Sequence, residues 1–195
     1  ITETIFCYIT SGVLMSRSSV VYGPFSIVWG LGCMLLTAVL YRQKDKSDGN
    51  IFIAGTLLGG AYEYLCSVFT ELVFGTVFWD YSGFAFNLGG RINLLYCFFW
   101  GIAAVVWLKL IYPRLSALIE KIPVKVGPVL CNIMIVFMIF NMLISAAALS
   151  RYTARHTDAD AFSNPNAITE FFDTHFTDQR MERIYPNAKI VDEKN

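Results

Sequence analysis

Four long apolar runs, at residues 22–41, 51–72, 92–112 and 128–149, are separated by short polar connections. A helix rises about 1.5 Å per residue, so crossing the hydrocarbon core takes about 20 mainly apolar residues. Each run meets that length. Residues 1–14 read as the exit half of a further helix, because the apolar run is already under way at Ile1 and residues before it are expected. The runs are too long for the core helices of a small soluble domain, and their Gly, Ala, Leu and Met content does not suit strands. The pattern predicts an all-α membrane protein with about five transmembrane helices. Residues 1–150 form the helical bundle and residues 151–195 a polar tail with short helices.

Two connections depart from ordinary loops. Residues 74–90 (FGTVFWDYSGFAFNLGG) are too apolar for a solvated loop and too short and glycine-rich to cross the membrane twice. They suit a re-entrant or interfacial hairpin, whose backbone must be buried in protein or line a wet cavity. Residues 115–126 alternate apolar and basic positions and suit a helix lying along the interface. In the tail, Asn164 and Pro165 mark a helix start, and Ile168, Phe171, Phe172 and Phe176 supply an apolar stripe. Residues 178–185 form a second short helix stopped by Pro186. Helices this short do not make a core of their own and are expected to dock on the rim of the bundle.

Composition agrees with the pattern. Apolar residues make up 55% of the chain and charged residues 15%, where a soluble domain carries about a quarter charged. Net charge is zero, which leaves no electrostatic footprint for nucleic acid. The five cysteines (Cys7, Cys33, Cys66, Cys97 and Cys131) fall one per apolar segment, without a CxxC pair or nearby histidine. They read as reduced packing residues, not metal ligands or a disulfide framework. Arg42, Lys44, Lys46, Lys109, Arg114, Lys121 and Lys125 cluster on alternate connections, whereas the others carry only Arg17 and Arg91. By the positive-inside rule the N-terminus is cytoplasmic and the tail emerges outside.

Charged groups at membrane depth need a partner, water or a function. Gly55, Gly59, Glu63, Ser67 and Glu71 recur every four residues, on one slowly drifting helix face. The first two form a GxxxG contact, which serves packing within the chain or against a second copy of it. A second stripe of small residues runs through Gly23, Ser26, Gly30, Cys33 and Thr37. Glu63 lies halfway along its helix, and two readings stay open: an ion pair with Arg91 or Arg17, or a role in binding a solute or proton. By the same topology Arg17, Tyr22, Glu71, Trp79, Asp80, Tyr81, Asn87 and Arg91 fall at the outer boundary, with Glu3 deeper. With Glu63 these ten residues are the candidate substrate-binding set. Four carboxylates against two arginines, beside Trp79, Tyr81 and Tyr22, favour a cationic or zwitterionic guest.

An enzyme is not expected. The chain has no HExxH, GxSxG or P-loop, and both histidines, His156 and His175, lie in the tail. No metal or other cofactor is called for.

The same residues carry a family resemblance. Glu3, the stretch from Arg17 to Tyr22-Gly23-Pro24, Glu63, and Phe74-Gly75 … Trp79-Asp80-Tyr81-Ser82 … Asn87 … Gly90-Arg91-Ile92 with Trp100-Gly101 resemble the ABC-transporter type IV (CmpB-like) permease family of Gram-positive bacteria. The tail segment Met181-Glu182-Arg183-Ile184-Tyr185-Pro186-Asn187 is also similar to family members. The chain departs at Ser18, where the family has glycine, and at Ile27-Val28-Trp29-Gly30, where it has Pro-Ile-Tyr-Gly. The resemblance implies a multi-pass permease of the bacterial plasma membrane, working with a separate ABC-type ATPase subunit. The alternative is a non-transporting scaffold or sensor whose outer hairpin and tail dock a protein.

Overall fold

A computed structural model describes residues 18–157, 161 and 166–191; the expected half-helix at 1–14 lies outside them. The elements in chain order are α1 (Ile27–Leu40), α2 (Asp48–Phe74), β1 (Thr76–Val77), β2 (Asn87–Leu88), β3 (Ile92–Asn93), α3 (Leu94–Val106), α4 (Tyr112–Ile119), α5 (Gly127–Thr157), α6 (Ala167–His175), α7 (Asp178–Ile184) and β4 (Lys189–Ile190). A short 3₁₀ turn, Tyr41–Gln43, extends α1, and a π turn, Trp107–Ile111, joins α3 to α4. Pro113 explains the π turn: it has no N–H to offer the carbonyl one turn back.

Among the described residues three helical stretches are long and apolar enough to cross a membrane: Asp48–Phe74, Leu94–Ile119 and Gly127–Thr157. The last has a mean hydropathy of 2.3 with only 11% of its apolar window buried, so its surface is hydrocarbon nearly all round. The chain is an all-α membrane protein. The expected span at 22–41 is shorter, beginning at Ile27 and ending at Gln43. Its first residues form a closed turn instead. Ser19 N–H donates to the Phe25 carbonyl at 2.8 Å, Ser18 Oγ donates within the same turn, and Gly23 sits at φ +82° ahead of Pro24. A left-handed residue followed by proline stops a helix from propagating backward. The other boundaries also moved. Ile92 and Asn93 pair as a strand before α3, and the expected interfacial segment at 115–126 starts as a continuation of the second long stretch, Leu94–Ile119.

The chain divides into two compact units, one of residues 1–27, 69–79 and 137–195, the other of residues 28–68 and 80–136. In the second unit, Leu36 and Leu40 of α1, Ile51 of α2, and Trp100, Ala104 and Leu108 beyond it form the core. The four-residue stripe of α2 is its buried face, through Gly55, Gly59, Glu63 and Ser67. Gly55 meets Ala104 and Gly101, and Gly59 meets Trp100, so closely that a Cβ on either glycine would collide. The GxxxG contact therefore serves packing against α3 within the chain.

In the first unit, the tail closes over the end of α5. Val21, Ala148, Leu149, Tyr152, Phe172, Phe176, Met181 and Tyr185 share one core. The tail helices are too short to bury their apolar faces alone, and α5 supplies the missing wall. The expected start at Asn164 and Pro165 lies outside the described residues; Asn166 caps α6, its side chain accepting from Thr169 N–H while the Thr169 hydroxyl accepts from Asn166 N–H. After α2, Gly75 takes φ +58° and its N–H closes on the Glu71 carbonyl, a left-handed helix stop. The chain then enters β1, which pairs antiparallel with β4 of the tail.

Candidate functional site

Glu63 is the centre of the described polar groups in the second unit. It lies midway along α2 and is 7% exposed. Tyr81 Oη donates to its Oε1 at 2.8 Å, and Trp100 Nε1 donates to its Oε2 at 3.0 Å. Both carboxylate oxygens thus accept from aromatic donors. One turn further on the same face, Ser67 Oγ accepts from Arg91 Nη1 at 3.2 Å. A carboxylate and a guanidinium therefore attach to adjacent turns of one helix face, about 6 Å apart in rise.

The Trp100 ring is fixed from several sides. Trp29 stacks on it at 5.0 Å and Tyr62 meets it edge-on at 5.7 Å. Gly32 and Gly59 present bare backbone to the ring, and a Cβ on Gly32 would come within 2.8 Å of it. Tyr62 in turn donates to the Val28 carbonyl at 2.8 Å. An indole this confined holds its N–H on the carboxylate without losing rotamer freedom at each encounter.

Tyr81 reaches Glu63 from a tightly tied loop. Tyr81 N–H donates to the Gly90 carbonyl at 2.7 Å. Asp80 Oδ1 accepts from Ser82 N–H at 3.0 Å. Asn87 donates to the Phe84 carbonyl at 2.7 Å and accepts from Gly90 N–H at 2.9 Å. Asp80 and Asn87 thus shape the loop that aims Tyr81. Strands β2 and β3 close it, and Asn93 caps α3 by accepting from Leu95 N–H.

The ten expected site residues are therefore distributed. Glu63, Asp80, Tyr81, Asn87 and Arg91 belong to the second unit, where Glu63 and Tyr81 touch directly. Tyr22, Glu71 and Trp79 belong to the first. There Tyr22 exchanges two backbone hydrogen bonds with the Asn141 side chain, at 3.2 and 2.7 Å, and meets Phe176 edge-on. Glu3 and Arg17 lie outside the described residues. Among the described residues no group of three or more His, Cys, Asp and Glu side chains gathers at metal-binding distance.

Trp100 carries part of the family resemblance but is not among the ten candidate site residues, because an indole in an apolar run looks like core. Its i+4 relation to Ala104, with Gly101 between them, is the signal of a close crossing opposite the glycines of α2.

A family model described as Putative ABC-transporter type IV matches residues 1–146. The chain belongs to that family. The match spans Glu63, the Tyr81 loop, Arg91 and Trp100. No curated protein and no solved structure matches the chain. Membership makes it a transport-related membrane protein of the ABC-transporter class.

Proposed function

We propose that this chain is a multi-pass permease, or solute-binding membrane subunit, of a bacterial plasma-membrane transport system, without enzymatic activity of its own. The family match over most of the chain carries the reading. The sequence contains no GxxxxGK[ST] phosphate-binding loop, so ATP hydrolysis falls to a separate ABC-type ATPase subunit. The solute is small and cationic or zwitterionic. Supporting this, Glu63 offers a negative group between two aromatic donors, and Arg91 attaches one turn away. A carboxylate among aromatic rings is chemistry that suits a cationic group, and the guanidinium suits the anionic end of a zwitterion.

The test uses the full-length tagged chain, isolated from native membranes in mild detergent. An ABC-type ATPase is expected to co-purify, with hydrolysis that responds to reconstitution in vesicles. Glu63→Gln is expected to keep the partner bound while lowering that hydrolysis several-fold. A chain that purifies without an ATPase overturns the transport reading. Full coupled hydrolysis in Glu63→Gln overturns the site.

A further inference from the structure

The loop that aims Tyr81 has an apolar tip that the proposed solute site does not use. Phe84, Phe86 and Leu88 are exposed there, Phe86 over 82% of its surface. Phe86 also holds φ +57°, a backbone region that disfavours a bulky side chain. An aromatic residue kept both strained and outward needs a reason in its surroundings.

The tip is built, not slack. Asn93 is 2% exposed and works in two directions. Its Nδ2 donates to the Ala85 carbonyl at 2.6 Å, while its Oδ1 accepts from Leu95 N–H in the first turn of α3. Leu94 N–H donates to the Phe86 carbonyl at 3.2 Å. Asn87 holds the Phe84 carbonyl. Three consecutive carbonyls, at 84, 85 and 86, are thereby tied to the start of α3 or to the loop itself.

The chain runs straight from this tip into a helix whose outer surface is hydrocarbon: Leu94, Leu95, Phe98, Phe99 and Ile102 are all exposed. In a membrane-spanning helix that surface faces acyl chains, and the tip continues it past the helix end. The same loop carries Asp80, Ser82, Asn87 and Arg91, groups suited to the headgroup layer. Tyr81 and Tyr96 stack at 4.6 Å beside them, amphipathic rings of the kind that settle at a membrane interface.

We infer that the 84–88 tip is seated in the protein's own bilayer, with Phe84, Phe86 and Leu88 at the boundary between headgroups and acyl chains. It anchors the Asn93-capped end of α3. Because Tyr81 lies in the same loop, the anchor also fixes the height from which that hydroxyl reaches Glu63. The inference stands on the loop's geometry and does not depend on the transport reading.

The experiment places a tryptophan at the tip. Full-length Phe86→Trp and wild type are reconstituted in phosphatidylcholine–phosphatidylglycerol vesicles, with and without lipids brominated on the acyl chain. The emission added by the new indole is expected to be blue-shifted, quenched by the brominated lipid and unaffected by iodide. Red-shifted emission quenched only by iodide places the tip in water and overturns the inference. Emission protected from both quenchers means that a second copy or another protein covers the tip, and overturns it equally. Phe84→Trp, on ordinary backbone in the same tip, gives the same reading if the strained position does not tolerate the larger ring.

Discussion

Around Glu63, one buried carboxylate faces neutral donors from Tyr81 and Trp100, inside packing made of glycines and aromatic rings. Around the tail, charge meets charge. Arg151 grips Asp173 through two nitrogens, at 2.9 and 2.6 Å, and Arg155 bridges Asp173 and Asp178 while donating to the Phe176 carbonyl. The ionic cluster is matched, so it serves to clamp α6 and α7 onto α5. Glu63 instead accepts from a phenol and an indole. Charge clamped by charge in one region, and a carboxylate held by an indole and a phenol inside close packing in the other, is the difference between a fastening and a candidate site.

The comparison breaks most sharply at the helix crossing. Even a methyl group at Gly59 collides with Trp100, whereas a Cβ at Gly30 meets nothing within 4 Å. Gly59→Ala is expected to cost about 3 kcal/mol or more, as overpacking without room to relax. Gly30→Ala is expected to be neutral, or to stabilise by up to about 1 kcal/mol through helix propensity. Thermal unfolding of the two variants in detergent measures the contrast. Equal melting temperatures would remove the close crossing from the account.

Next in size is the clamp. Arg155→Ala removes a 5%-exposed guanidinium from two carboxylates and a carbonyl, at an expected cost of about 1–3 kcal/mol. Limited proteolysis should then release the tail, while Glu63-dependent behaviour stays unchanged. A tail as resistant as wild type would show that the apolar contacts of Phe172, Phe176 and Met181 suffice.

The smallest expected effect is acid sensitivity. Hydrogen bonding from Arg151, followed by that from Arg155, holds the Asp173 carboxyl below its ordinary pKa of 3.8. A depressed folded-state value contributes stability above the unfolded value, and loses it as pH falls through the folded one. Pepsin cleavage of the tail should therefore rise only below about pH 4 and stay flat at milder acidity. Burial pushes the Tyr185 phenol up to about 12, so the same core weakens at the alkaline end, as pH rises from about 10 to about 12.

Much of this was legible in the chain. Hydropathy marked the long helices, because the apolar length needed to cross a bilayer is a one-dimensional property. The four-residue spacing of Gly55, Gly59, Glu63 and Ser67 identified the buried face of α2, because local helix geometry converts spacing into a face. Asp80, Tyr81, Asn87 and Arg91 stood out as polar groups amid apolar sequence. What could not be read were the partners. That Trp100 points its N–H at Glu63 depends on where α3 crosses α2, a contact 37 positions apart in sequence. The pairing of β1 with β4, and of Arg155 with Asp173 and Asp178, likewise needs the tail folded back on the chain. The sequence by itself determined that this is an all-α membrane protein with polar groups concentrated around the α2–α3 connection, since hydropathy and periodicity are local. Only the tertiary structure decided that Glu63 is held by an indole and a phenol and that the tail is fastened by arginines, since hydrogen-bond geometry exists only once distant segments meet.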